Sequence, residues 1–119
     1  MLKGLLLKES LNDLMVIDGL RITKTEIWQA GNAAPNQPPV WTALSFEADD
    51  SQADALAGKL SRAIKPEGWY INASTDTWVY VVFPRKVFKY VRGDAEQRAA
   101  AKQYGRSCNI PEKQLDWSE

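Results

Sequence analysis

Apolar and polar positions change their spacing several times along this chain, and each change marks an element. Leu2 to Lys8 is a short apolar run that predicts a buried first strand. From Ser10 the period turns helical, with Leu11, Leu14 and Met15 in step. Ser10 stands where a cap would, Asp13 follows three residues later, and Gly19 would stop the helix. Arg21 to Gln29 is rich in β-branched residues and mixes polar and apolar positions on both faces, as an edge strand does. Residues 30–39 hold three prolines, a glycine and two asparagines and read as a loop. Val40 to Ala48 is the next strand. A long hairpin would put Trp28 and Trp41 together at the base of that loop.

Asp49-Asp50-Ser51 predicts a helix start, with acidic charge where the helix dipole favours it. Ala53, Leu56, Leu60, Ala63 and Ile64 then recur at spacings of three and four, the clearest amphipathic helix in the chain. Pro66 and Gly68 end it.

Gly68 to Asp94 is the most aromatic and most strand-like stretch. Trp69–Ser74 and Trp78–Phe83 predict a hairpin turning on Thr75-Asp76. On that register Trp69, Ile71, Ala73, Trp78, Tyr80 and Val82 share one face. Tyr70, Asn72, Ser74, Thr77, Val79, Val81 and Phe83 fall on the other. Trp78–Phe83 is therefore apolar on both faces, and such a strand is covered on both sides. A small sheet with two or three helices covers only one face, so a second copy of the protein is the expected cover, making a homodimer through the Trp78–Phe83 face. Pro84-Arg85-Lys86 interrupts the ladder, and Val87 to Val91 resumes as a short strand or an extended arm. Asp94 caps a further helix, with Gln97 at the capping-box position and a small-residue face of Ala100, Ala101 and Tyr104. Gly105 would end it. Asn109-Ile110-Pro111 starts a last turn, and Leu115 and Trp117 anchor the tail.

The element order predicts an α+β domain over residues 1–119. Its arrangement is ferredoxin-like: an antiparallel sheet in βαββαβ order with an added strand and a C-terminal helix. That arrangement serves binders, oligomerisation modules, RNA binders and enzymes, so it does not choose a function.

Composition narrows the chemistry. At 119 residues, 45% hydrophobic and 25% charged, the chain suits a single soluble domain with one core. Fifteen basic residues balance fifteen acidic ones, so there is no overall pull toward nucleic acid or an anionic membrane. The longest apolar run at the N-terminus, Leu5 to Leu7, is too short for a signal-peptide core or a membrane span, which suggests a cytoplasmic protein. The single cysteine, Cys108, rules out an intramolecular disulfide and a Cys-rich zinc site, and a small packed residue is its simpler reading than a reactive thiol. The absence of histidine removes Ser-His-Asp and Cys-His catalysis and a neutral-pH switch. No metal or cofactor is expected.

Three constellations remain. Between Arg85 and Arg106 lie seven basic residues against two acidic ones, with Phe88 and Tyr90 interleaved. Such a stretch can bind RNA or single-stranded DNA, or a small anionic ligand. Period-two alternation at Phe88-Lys89-Tyr90 equally gives aromatics pointing in and charges pointing out. Asp49, Asp50, Asp54 and Asp76 are explained by helix-start and turn geometry without a metal or acid–base role. Trp69, Tyr70, Asn72, Asp76, Arg85, Lys86 and Arg92 are the candidate ligand-binding residues, the aromatics walling a pocket and the charges engaging an anion.

Val81-Val82-Phe83-Pro84, Tyr90, Arg92-Gly93-Asp94 and Asn109-Ile110-Pro111 with Gln114-Leu115-Asp116-Trp117 resemble stretches of small uncharacterised prokaryotic α+β proteins of unknown function. The resemblance spans most of the chain and implies no chemistry and no site. The leading expectation is a non-enzymatic, dimeric binding or regulatory module. A small histidine-free enzyme acting on an anionic small molecule is the alternative, and nucleic-acid binding through residues 85–106 the third.

Overall fold

A computed structural model describes residues 1–29, 37–66, 68–117 and 119. It shows an α+β domain built on one six-stranded antiparallel sheet. The strands are β1 (Leu2–Leu7), β2 (Arg21–Gln29), β3 (Val40–Ala48), β4 (Ile71–Ser74), β5 (Trp78–Phe83) and β6 (Lys86–Val91). The helices are α1 (Ala53–Ala63) and α2 (Ala95–Ser107). Strand order across the sheet is β2-β3-β1-β4-β5-β6. β1 pairs antiparallel with both β3 and β4, so those two strands run parallel to each other, and α1 is the crossover that joins them.

Two apolar layers lie on opposite sides of this sheet. On one side α1 places Leu56, Ala57 and Leu60 against Leu2, Leu6, Phe46, Ile71, Tyr80 and Val82. On the other side Ala101 of α2 and Ile110, Leu115 and Trp117 of the tail close over Val79, Val81, Phe83 and Tyr90. The hairpin keeps the faces that alternation predicts, but its register, Ile71↔Val82 and Ala73↔Tyr80, lies two residues on from a turn at Thr75-Asp76: Thr75 pairs with Trp78 and its hydroxyl accepts from Trp78 N, which centres the turn on Asp76-Thr77. Both faces of β5 are buried. What covers the second face differs from expectation. The chain covers it itself, because the helix and tail after β6 add a third layer. Val79, Val81 and Phe83 are at most 1% exposed within one chain, so this face offers a second copy no surface.

Other expectations change in detail. Residues 8–19 form no α-helix: two 3-10 turns, Lys8–Ser10 and Leu14–Gly19, carry the chain from β1 to β2. Asp13, not Ser10, caps the longer turn by accepting from Met15 N, while Ser10 Oγ donates to Leu7 O. The cause is the neighbourhood. Leu11 bridges to Ile64, Asn12 N donates to Ala63 O and Lys65 N donates to Ser10 O, and these bonds hold the segment extended along the end of α1. Leu14 and Met15 are consequently exposed. Asp49–Ser51 supplies no side-chain cap to α1; a 3-10 turn over Asp50–Gln52 leads into it, and Asp50 pairs with the N-terminal amine at 2.9 Å. Lys86–Val91 is a full strand paired along β5 and not an arm. Gly105 lies inside α2 instead of ending it. A Cβ there would sit 2.7 Å from Leu115 Cδ2, so the missing side chain lets the tail close on the helix. Asp94 caps α2 as expected, accepting from Gln97 N, whereas Ala100 faces solvent.

The loop prediction over 30–39 falls mostly outside the described residues. At its far end, Gln37 Nε2 donates to Gly68 O at 2.5 Å, and Trp41 Nε1 donates to Pro38 O. Among the described residues, no helix is long and apolar enough to cross a membrane.

Candidate functional site

The side of the sheet that α2 and the tail close at β5 and β6 is left open at β2, β3 and β1. Register determines what this open half presents. Ser74, Lys3 and Glu47 form one row across β4, β1 and β3. Asn72, Leu5 and Ser45 form the next row. Leu7 and Ala43 follow, and then the pair Trp41 and Trp28 on β3 and β2. Rows two residues apart are separated by about 7 Å and neighbouring strands by about 4.8 Å. The result is an apolar line, Leu5 and Leu7, with hydroxyl and amide groups on either side. Leu5, Leu7, Ser45, Asn72 and Ser74 are all half-buried, so they are reachable from solvent.

This surface is the floor of a cleft of about 760 Å³. Trp28, Trp41, Trp69 and Tyr70 wall one end, and Gln114, Asp116 and Trp117 of the tail wall one side. Trp41 packs edge-to-face on Trp69 with ring centroids 5.8 Å apart. Tyr70 packs edge-to-face on Trp117 at 5.4 Å, and its hydroxyl donates to Gln114 O. Burial pushes the Tyr70 hydroxyl well above the usual tyrosine range, so it remains a neutral donor. Gln37 and Gln114 join their amides, Gln114 Nε2 donating to Gln37 Oε1 at 2.9 Å, which ties the start of β3 to the tail.

The tail is held in place by a polar cluster at the other end of β5. Tyr90 donates to Glu119 Oε2 at 2.6 Å, and Trp117 Nε1 donates to the Tyr90 hydroxyl at 3.0 Å. Arg98 pairs with Glu119 at 3.2 Å, donates to Trp117 O at 2.7 Å and lies over the Trp117 ring. The hydrogen bond from Tyr90, aided by Arg98, holds the Glu119 carboxyl below the usual carboxylate range. Burial and the bond to Glu119 push the Tyr90 hydroxyl up to about 12. These residues fix the wall of the cleft.

The seven residues singled out from the sequence do not converge. Trp69, Tyr70 and Asn72 line the cleft together. Asp76 and Arg92 sit at the β4–β5 turn, where Arg92 Nε donates to Asp76 O at 3.3 Å and a second guanidinium nitrogen donates to Thr75 O. Arg85 and Lys86 sit at the β5–β6 turn, Arg85 with φ 59° and its N–H donating to Ser61 O. The six-residue strand β5 separates those two turns, a distance of about 20 Å. One pocket cannot use both sets of charges, and none of these four residues lines the cleft.

The basic stretch is similarly dispersed. Lys89 pairs with Asp54 on the α1 side of the sheet at 3.0 Å, Arg98 with Glu119, and Arg106 with Glu112 at 2.6 Å. Tyr80 and then Lys89 hold the Asp54 carboxyl below its usual range. Phe83 and Tyr90 are in the core, so they present no ring to a base. Among the described residues no group of acidic or sulfur side chains is placed to hold a metal ion. Cys108 is half-buried against the α2 layer.

The cleft also contains residues that sequence reading passed over: Lys3, Leu5, Leu7, Ser45 and Glu47. A signal was present in β3, where Ser45 and Glu47 interrupt an otherwise apolar strand on one face. Compared with family models, curated proteins and solved structures, the chain matches none.

Proposed function

We propose that this protein is a binding module whose ligand occupies the cleft between the open half of the sheet and the C-terminal tail. The supporting observation is the cleft itself: a preformed concavity with an aromatic end, an apolar line on its floor and hydroxyl and amide groups around it, in the size range of small-molecule sites. Two of the carboxylates that line it are already engaged, Glu119 with Tyr90 and Arg98 and Glu47 with Lys3 and Arg21, which favours binding over catalysis. The order β2-β3-β1-β4 with α1 crossing over β1 supports a ferredoxin-like reading of the scaffold, its first helix replaced by 3-10 turns and two strands added beside β4.

A thermal-shift screen of small molecules against the wild type and Ser45→Trp tests the cleft. Ser45 is half-buried on the floor, so an indole there fills the concavity without entering either core. Hits should raise the melting temperature of the wild type and leave the variant unmoved. Hits that stabilise both proteins equally would place the ligand elsewhere.

Self-association remains a second reading on a different surface. β2 is a nine-residue edge strand, and Ile27 on it is 64% exposed. Pairing of two β2 edges would continue the sheet. Sedimentation at micromolar concentration should show a dimer that Ile27→Lys converts to monomer; a monomeric wild type removes this reading.

A further inference from the structure

We infer that the cleft takes a neutral, polyhydroxylated ring ligand: a saccharide. This deepens the binding reading above and rests on it. The first support is the state of the charges. Glu47 stands between Lys3 and Arg21, each at 4.0 Å, and Glu119 is held by Tyr90 and Arg98. An anion entering the cleft meets three carboxylates, Glu47, Asp116 and Glu119, against two lysines, Lys3 and Lys113, and the arginines expected to receive it lie at the turns outside. A cation would meet Lys3 and Lys113 and would have to compete with the pairs already formed at Glu47 and Glu119.

The second support is the stripe on the floor. Asn72 and Ser45 flank Leu5 on adjacent strands, about 10 Å apart across two strand spacings. A pyranose ring presents C–H groups on its faces and hydroxyls around its rim. Laid on Leu5 and Leu7, it would bury its apolar face and direct rim hydroxyls to the Asn72 amide and the Ser45 hydroxyl. Each of those groups both donates and accepts, as sugar hydroxyls do. A purely apolar ligand would leave the same groups unpaired.

The third support is Trp28. It closes the stripe beside Trp41 and is half-buried, leaving part of its indole open to the cleft. An indole is a large apolar surface with a polar handle, suited to the C–H face of a second ring. A volume of about 760 Å³ has room for more than one ring.

The test is titration of the full chain with cellobiose, maltose and N,N′-diacetylchitobiose, followed by tryptophan fluorescence and by the backbone amide resonances of Ser45 and Asn72. At least one sugar should give a saturable shift at those amides. Its affinity should be the same at low salt and at about 0.5 M NaCl, because no ion pair is made on binding. Asn72→Ala and Trp28→Ala should each weaken it by about ten-fold, the scale of one hydrogen bond or one aromatic contact. Inorganic phosphate and tetramethylammonium are titrated in parallel. If either saturates the cleft and no sugar does, the saccharide assignment is overturned and the cleft keeps its binding role. If no probe moves the two amides, both readings fall.

Discussion

One side of one sheet carries two surfaces of opposite character. Over β5 and β6 its outward residues are Val79, Val81, Phe83, Phe88 and Tyr90, and α2 and the tail seal them. Over β1 and β3 its outward residues run Lys3, Leu5, Leu7 and Ala43, Ser45, Glu47, and solvent reaches all of them but Ala43. The backbone is the same antiparallel ladder throughout. The difference lies in whether polar residues interrupt the apolar ones. A fully apolar row has to be dehydrated, and burying it is worth about 25 cal/mol per Å². A striped row gains less from cover, because Ser45 and Asn72 would have to find partners inside it. Sealing one half and leaving the other open is therefore written into the side chains, and the tail ends its cover where the stripe begins.

The largest expected effect sharpens the sealed side. Phe83 is fully buried and packs on Tyr70, Phe88 and Tyr104. Phe83→Ala should cost about 3–5 kcal/mol in urea unfolding.

Next is Tyr90→Phe, which keeps the ring and removes the hydroxyl that joins Trp117 to Glu119. It should cost about 1–2 kcal/mol at neutral pH, because the buried Trp117 Nε1 loses its acceptor. It should also change the alkaline limb. The folded value for Tyr90 is about 12, above the ordinary tyrosine value of 10.0. Below 10.0 the group is protonated in both states and its contribution is fully present. As pH rises from there the unfolded chain ionises first, so stability falls until the folded group ionises at about 12. Urea midpoints between these limits should fall less steeply in the variant than in the wild type; parallel slopes would show that Tyr90 does not carry that loss.

Gly105→Ala should be smaller, a net loss of about 1 kcal/mol. The new methyl meets Leu115 at 2.7 Å, and the crowding outweighs the helix propensity gained. An unchanged or raised midpoint would mean that the tail yields easily. On the open side, Ser45→Ala should shift stability by less than about 0.5 kcal/mol. A loss of more than about 1 kcal/mol there would break the comparison, since it would mean that the open half is structurally committed.

The elements that were readable in the sequence are those set by local period. The alternation in Trp69–Phe83 gave the hairpin faces, though not its register, which the Thr75 hydroxyl moves on by two residues, and the three-and-four spacing of Ala53 to Ile64 gave α1 with every one of those positions buried. Asp94 signalled its helix because the cap is local to one turn. What was hidden depends on contacts distant in sequence. Residues 8–19 have helical spacing, yet bonds to Ala63 and Lys65 hold them out of a helix. Leu115 and Trp117 were recognisable as anchors, but nothing local tells that they anchor onto Val81 and Phe83 and so displace an expected partner copy. The cleft was half visible. Trp69, Tyr70 and Asn72 announced it by type, while Ser45, Glu47 and Lys3 join them only through the pairing of β1 with β3 and β4.

β5 contributes Tyr80 and Val82 to one apolar layer and Val79, Val81 and Phe83 to the other. Each layer alone is small for independent stability. Because they share a strand, neither can melt without stripping a face of the other, and the two behave as one cooperative unit. Loosening of the tail at Glu119 should be a local event, whereas the amides of β5 should exchange with solvent only when the whole domain opens. The most apolar strand in the chain is thus the common wall that makes two thin cores fold as one.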